Sequence, residues 1–187
     1  AGALLQAGSG TTILTGANTY TGNTFVEGGT LQIGNGGTSG SIMGGVLNNG
    51  VLAFNRSDAY TFAGLIAGTG SLKAGSGTTI LTTNNTYQGG TTINAGTLQL
   101  GNGGAAGWIT GNVTNNGTLA FNRSDVAIFG GAVTGAGSLR QIGPGATVLT
   151  ANNNYGGGTT ISGGALVLGN GGTSGAITGN VTNNSIL

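Results

Sequence analysis

Charged side chains are rare in this chain, and one pentapeptide holds most of them. The sequence FNRSD occurs at residues 54–58 and again at 121–125. The 187 residues include 4 Lys and Arg, 3 Asp and Glu, and no His. The two pentapeptides contain Arg56, Asp58, Arg123 and Asp125. This repeated Arg–Asp pair could form a catalytic group, a contact site for a partner, or a structural feature of a repeat.

The carboxylates are poorly placed for catalysis. Besides Glu27, the only carboxylates are Asp58 and Asp125, which occupy the same position in the two pentapeptides. We interpret their separation as three stacked turns, or about 14 Å, whereas the two carboxylates of a glycosidase stand about 5 to 9.5 Å apart. The lack of His and Cys removes the commonest general bases and transition-metal ligands. We therefore predict no enzyme activity, no metal and no cofactor.

Two interpretations of FNRSD stay open. In the first, Phe54 and Phe121 point inward at the end of a strand, and the Asn, Ser and Asp that follow hydrogen-bond a turning backbone. In the second, the exposed charges form a repeated contact strip for a partner. The first is favoured, because such side chains are typical of turns.

A single tryptophan raises the same choice between packing and partner contact. Trp108 stands where the other copies of its surroundings have Ser41 and Ala176. We expect its indole to fill a corner or face outward, and packing is favoured. The alternative is an anchor for a partner, a role in which tryptophan is enriched.

Composition indicates an all-β protein. The chain has 44 Gly, 37% hydrophobic residues and a net charge of +1, so it has enough apolar surface for a core. Short runs rich in Val, Ile and Thr are separated by Gly and Asn, a pattern typical of strands and turns. No apolar run is long enough for a transmembrane helix, and no basic stripe favours nucleic acid.

Internal repetition organises the whole chain. The sequence GNGG begins at positions 34, 101 and 169, and FNRSD begins at positions 54 and 121. We therefore expect one domain over 1–187, with repeats at approximately 1–67, 68–134 and 135–187, the last one truncated. Each repeat divides into segments of about twenty residues, the size of one coil of a parallel β-helix. The sequence predicts about eight coils, with three coils per 67-residue repeat.

Alternation along the short runs predicts which side chains face inward. Equivalent positions in successive repeats should stack into apolar columns. The expected inward sets include Leu14, Leu81 and Leu149; Val26, Ile93 and Ile161; Leu31, Leu98 and Leu166; Ile33, Leu100 and Leu168; Ile42, Ile109 and Ile177; Leu52 and Leu119; Phe54 and Phe121; and Phe62 and Phe129.

Three long copies resemble a known family. GSGTTILTGANTYTGNTFVEGGTLQIGNGG, GSGTTILTTNNTYQGGTTINAGTLQLGNGG and GPGATVLTANNNYGGGTTISGGALVLGNGG are similar to the autotransporter-associated β-strand repeat, also called the passenger-associated transport repeat. The resemblance implies a right-handed parallel β-helix from the passenger of a Gram-negative autotransporter, secreted or displayed at the cell surface. It also implies a C-terminal membrane β-barrel in the full-length protein. We interpret this sequence as a fragment of that protein, because it stops inside a repeat.

The resemblance leads to two expected functions. One is a non-catalytic stalk that supports folding, translocation and display of the passenger. The other is an adhesive surface that binds a host cell-surface protein or another copy of itself. On the second, Arg56, Asp58, Trp108, Arg123 and Asp125 are the candidate contact residues. We expect neither a nucleic acid partner nor a membrane span in this segment.

Overall fold

The computed structural model describes residues 2–185, and in that part of the chain every regular element is a β-strand. The first nine strands are β1 Leu4–Gln6, β2 Thr11–Leu14, β3 Thr24–Val26, β4 Thr30–Ile33, β5 Val46–Asn48, β6 Val51–Phe54, β7 Ala59–Phe62, β8 Ile66–Ala67 and β9 Ser71–Ala74. The next eight are β10 Thr78–Leu81, β11 Thr91–Ile93, β12 Thr97–Leu100, β13 Val113–Asn115, β14 Thr118–Phe121, β15 Val126–Phe129, β16 Val133–Gly135 and β17 Ser138–Gln141. The last five are β18 Ala146–Leu149, β19 Asn154–Tyr155, β20 Thr159–Ile161, β21 Ala165–Leu168 and β22 Val181–Asn183.

The strands stack in parallel into three faces. Face 1 contains β1, β3, β5 and β8, then the segments around Asn84 and Trp108, then β15, β18 and β21. Face 2 contains β2, β4, β6, β9, β11, β13, β16 and β19. Face 3 begins with the bridged residues Ala17 and Ser41 and continues through β7, β10, β12, β14, β17, β20 and β22. The chain is thus an all-β parallel solenoid, as the sequence predicted.

The coils are shorter and more numerous than expected. A coil of one third of a repeat would bring Thr11 opposite Ile33, but Thr11 lies opposite Thr30. Other coils are longer than this one, such as the coil that brings Thr24 opposite Val46. The solenoid therefore has about nine turns rather than about eight. Stacked at about 4.8 Å, nine turns make a rod about 40 Å long.

The expectation of three coils per repeat was wrong. Each repeat makes eight strands, β2 to β9 in the first, and two irregular crossings at Ala17 and Ser41, so it passes ten faces. Ten faces are three turns and one face more. The TTIL sequence consequently lies on face 2 as β2 and on face 3 as β10, and its relative ATVL lies on face 1 as β18. Each repeat is rotated by one third of a turn relative to the one before it.

Most of the expected inward residues form the core, but equivalent positions of successive repeats do not stack on one another, because the repeats place them on different faces. Leu31, Leu98, Ile93, Phe54 and Phe121 are completely or almost completely buried. Among the expected inward residues, Leu168 is an exception and is half exposed, since it lies in the last described turn on face 1. The rotation does not disturb the core, because an inward residue on any of the three faces packs between inward residues of the turns above and below it.

Polar groups inside the solenoid are also repeated. The hydroxyls of Tyr87 and Thr91 lie 2.6 Å apart, and the pair Tyr155 and Thr159 has the same distance. Burial raises the pKa of the Tyr87 hydroxyl, which therefore stays neutral. Hydrogen bonding within the pair satisfies both buried hydroxyls.

Candidate functional site

Each FNRSD sequence forms a corner between two faces. Phe54 ends β6 on face 2, and the chain turns before β7 begins on face 3. Phe121 ends β14 on face 3, and the chain turns before β15 begins on face 1. Both phenylalanines are buried, so they anchor the start of the corner in the core.

At the first corner, every nitrogen of the Arg56 guanidinium donates a hydrogen bond. Its Nε donates to Asp58 Oδ1 at 2.8 Å and its Nη2 donates to Oδ2 at 2.7 Å, a bidentate pair. Nη1 donates to the carbonyl oxygen of Gly40 at 2.5 Å, and Nη2 also donates to that of Thr38. The guanidinium carbon lies 4.8 Å from the centre of the Tyr60 ring.

The second corner repeats this arrangement. Arg123 pairs with Asp125 at 2.9 and 2.8 Å and donates to the carbonyl oxygens of Ala105 at 2.6 Å and Gly107 at 3.2 Å. Its Nη1 also donates to Asn84 Oδ1 at 3.2 Å. The side chain of Arg123 is 8% exposed and that of Asp125 is 38% exposed. The guanidinium is therefore covered while the carboxylate remains accessible to water.

The carbonyl groups that bind the arginine belong to the glycine-rich loop one turn earlier. We call each arginine with its aspartate and this loop an arginine clamp. The backbone reinforces the first clamp, because the Gly36 amide donates to Asn55 O at 2.8 Å and the Ser57 amide donates to Gly37 O at 2.9 Å. Two equivalent bonds join the second corner to the loop that begins at Gly101. The clamps thus attach one turn to the next.

The clamp explains a glycine in the loop. Gly34 has a φ of +82°, and a Cβ built on it would lie 2.7 Å from Cγ of Arg56. Gly101 has a φ of +84° and a corresponding distance of 2.9 Å to Cγ of Arg123. A side chain at either position would strain the backbone and displace the arginine.

The aromatic ring against the guanidinium comes from a different position in each copy. Tyr60 supplies it in the first clamp, where the residue one turn earlier is Ser41. Trp108, which is equivalent to Ser41, supplies it in the second clamp at 5.3 Å, and Ala127 takes the place of Tyr60. The half-buried indole also packs against Phe129, with ring centres 5.6 Å apart. The first clamp therefore has the small residue in the earlier turn and the aromatic residue in the later turn, and the second clamp has the reverse order.

The pairing with arginine keeps both aspartates charged. The hydrogen bond from Arg56 lowers the pKa of the Asp58 carboxyl below its usual value, and Arg123 lowers that of Asp125 in the same way. The same bond raises the pKa of Arg56. Each clamp is therefore an ion pair over the ordinary range of pH.

The structure brings the candidate residues together in two separate groups. Arg56 and Asp58 lie at the edge between faces 2 and 3, whereas Arg123, Asp125 and Trp108 lie at the edge between faces 3 and 1. The expectation that both copies occupy equivalent corners was wrong, since each repeat is rotated by a third of a turn. Among the described residues, no group of three His, Cys, Asp or Glu side chains could hold a metal ion.

Sequence reasoning missed the partners of the arginines. The carbonyl groups of Thr38, Gly40, Ala105 and Gly107 leave no mark in the sequence beyond the glycines that permit the loop. The exchange between Ser41 and Trp108 was visible, but its compensation at residue 127 appears only when neighbouring turns are aligned in space.

The fold and its corners define a class, a parallel β-solenoid built from a long sequence repeat. Three stretches of the chain, residues 4–33, 72–100 and 139–168, match the family described as passenger-associated-transport-repeat. The chain therefore belongs to the autotransporter passengers that carry this repeat. Such a passenger is exposed at the surface of a Gram-negative bacterium or secreted from it.

One curated relative supports the assignment. The chain is 40% identical over 191 residues to the adhesin BmaC autotransporter of Brucella suis biovar 1 (strain 1330), a match that covers 90% of this chain. It spans only 6% of that relative's length. No solved structure matches the chain significantly. In the described part of the chain, no helix is long and apolar enough to cross a membrane.

Proposed function

We propose that this chain is a non-catalytic stalk segment that supports folding, translocation and display of an autotransporter passenger. The observation that carries the proposal is the continuous stacking of about nine turns, in which each turn presents a complete template for the next. The arginine clamps add to it, because each attaches a corner to the loop of the preceding turn. A chain that emerges at a cell surface could fold on such a template one turn at a time.

A non-catalytic role agrees with the chemistry of the clamps. Every nitrogen of each guanidinium donates a hydrogen bond, to its aspartate, to backbone carbonyl groups or, in the second clamp, also to Asn84. Each carboxylate is a charged, paired acceptor rather than a free base. We propose that Arg56, Asp58, Trp108, Arg123 and Asp125 serve the fold. Contact between a partner and the exposed carboxylates stays a prediction.

The stalk proposal predicts that display depends on the core. In the full-length autotransporter, Ile93→Asn would place a polar side chain in a completely buried position of β11. We expect much less passenger at the cell surface, measured by its accessibility to added protease. Thr92→Asn is the matched control, because Thr92 is the adjacent residue on the same strand and points outward. Normal display of an Ile93→Asn passenger whose stability is measurably reduced would contradict the proposal.

A second candidate function is adhesion. The relative's name describes that protein as an adhesin, and the solenoid exposes large apolar side chains, including Leu5, Val126 and Ile128. The 187-residue chain, added in excess, should then inhibit attachment of bacteria that display the full-length protein. Attachment that is unaffected by the added chain would count against adhesion through this segment and leave the stalk proposal intact.

A further inference from the structure

The three faces of the solenoid differ in their outward side chains. On face 1, two sets of apolar residues point outward in register. The first set is Leu5, Phe25, Leu47 and Ala67, on consecutive turns. The second is Ile128, Val148 and Val167, also on consecutive turns. Leu5, Leu47, Ile128 and Val167 are 42 to 60% exposed. Face 1 is therefore an apolar flank at both ends of the described rod.

The rotation of the repeats supplies an internal control for this observation. Phe25 lies on face 1, while its equivalents Thr92 and Thr160 lie on faces 2 and 3. Leu47 on face 1 likewise corresponds to Thr114 on face 2 and Thr182 on face 3. The repeat unit is the same in each case, so the apolar residue goes with the face and not with the repeat.

In the second set, too, the outward residue is apolar on face 1 and mostly polar at the equivalent positions on the other faces, although its strands come from other positions of the repeat. Val167 on face 1 corresponds to Gln32 on face 2 and Gln99 on face 3. Ile128 on face 1 corresponds to Thr61 on face 3. Val148 is an exception, because its equivalents on the other faces are isoleucines. Strands from unrelated positions of the repeat thus become apolar outside when they reach face 1.

Charge is distributed in the opposite way. By position on the strand, Leu5 corresponds to Lys73 on face 2 and Arg140 on face 3. Among the described residues, no strand of face 1 carries a charged side chain. A flat apolar face without charge is typical of a surface that packs against another protein surface.

We propose that face 1 packs against face 1 of a second copy of this chain. The proposal rests on the proposed function, of which it specifies the adhesive form: rods that associate along one flank. Two such faces bring no like charges together, even though each chain has a net charge of +1. Because the apolar sets lie towards both ends of the rod, a twofold arrangement places apolar residues against apolar residues. An anionic lipid surface fits less well, since the cations Lys73 and Arg140 lie on the other faces.

The size of the face predicts weak association. Seven strands and two irregular segments, stacked at about 4.8 Å and about 13 Å wide, give roughly 500 Å² for each copy, or about 1,000 Å² in total. That area is at the lower limit for a specific interface. We therefore expect a dimer of micromolar or weaker affinity for this segment, one that could strengthen when several segments associate together.

The test uses substitutions that the chain already contains at equivalent positions. One variant carries Phe25→Thr and Leu47→Thr, and another carries Ile128→Thr and Val167→Gln. The control carries Ile13→Thr and Ile80→Thr, which remove outward isoleucines from faces 2 and 3. Each is studied as the 187-residue chain by sedimentation equilibrium over a concentration series, with circular dichroism to establish that it is folded.

We expect the wild type and the control to dimerise alike and each folded face 1 variant to dimerise at least tenfold more weakly. A wild type that stays monomeric up to about 1 mM would overturn the proposal, as would equal dimerisation of the face 1 variants. Binding of the monomer to neutral phosphatidylcholine vesicles would overturn it too, because the occupant would then be lipid. Sedimentation does not measure display at the cell surface. A monomeric chain would therefore overturn the packing of face 1 against face 1 and leave the stalk proposal intact, whereas normal display of the Ile93→Asn passenger would contradict only the stalk proposal.

Discussion

The inside and the outside of this solenoid follow different rules. Most inward positions keep the same residue type in every repeat, as in the leucines 31, 98 and 166, although those three lie on three different faces. Outward positions change with the face, as in Phe25 and its equivalent Thr92. An inward residue always meets the turns above and below it. An outward residue meets whatever its side of the rod is exposed to, so only the outside can specialise.

The largest effect should come from the inside. Phe121→Ala removes a fully buried ring that packs against Trp108 and Phe129, and we expect a loss of about 3 to 5 kcal/mol of unfolding free energy. Phe25→Ala removes the same ring from an outward position, so the loss should be under about 1 kcal/mol. Urea denaturation followed by circular dichroism measures both. Equal losses of unfolding free energy would mean that inward and outward rings contribute equally to stability.

The arginine clamp lies at the boundary between the two sides. Arg123→Ala removes the bonds to Ala105, Gly107 and Asp125, and we expect a loss of about 2 kcal/mol in the same denaturation measurement. Arg140→Ala, on the exposed side of β17, should change stability by less than about 0.5 kcal/mol. Arg123→Lys should restore little, because an ammonium group cannot make the bidentate pair. Full stability of Arg123→Ala would remove the structural role assigned to FNRSD.

A smaller effect tests the exchange of aromatic rings. Trp108→Ser should destabilise the second clamp, and adding Ala127→Tyr recreates the combination found at Ser41 and Tyr60. We expect the two changes to be coupled by about 1 kcal/mol in a double-mutant cycle, since the residues share one space. Additive changes would show that Trp108 does not compensate for Ala127, and an indole function on the surface would then be favoured.

The smallest effect concerns pH. The pKa values of Asp58 and Asp125 are lowered in the folded state, so their stabilising contribution is complete above the unfolded value of about 3.9. It is lost as the pH falls below that value through the lowered folded pKa. We expect a small decrease in Tm in that range, and a smaller one for Asp125→Asn. An identical profile for Asp125→Asn would show that its ion pair contributes nothing.

Much of the fold could be predicted from the sequence, because the signals are local. Alternation at Leu31 and Ile33, and turns at glycine and asparagine, suffice for a stacked β-solenoid. The rotation could not be predicted in this way, because it depends on the exact length of each turn. Turns that each took one third of a repeat would return every repeat to its starting face. Several observed turns are shorter, such as the one from Thr11 to Thr30, and together they advance each repeat by one face.

The candidate site was predicted less completely for a related reason. The ionic pairing of Arg56 with Asp58 follows from their spacing, but the loop that completes the clamp comes from a different turn. The apolar flank was hidden altogether. Phe25 and Ile128 have no sequence relation to each other, and only the assignment of their strands to one face brings them together.

The rotation of each repeat by one third of a turn can be measured as a difference between two distances. The chain has no cysteine, so nitroxide labels can be placed on Gln32→Cys with Gln99→Cys, and on Gln32→Cys with Thr92→Cys. Gln32 and Thr92 lie three strands apart on face 2, while Gln99 lies on face 3. Pulsed electron spin resonance should give about 14 Å for Gln32 with Thr92 and more than about 20 Å for Gln32 with Gln99. The reverse order of the two distances would mean that each repeat makes three whole turns and is not rotated relative to the one before it.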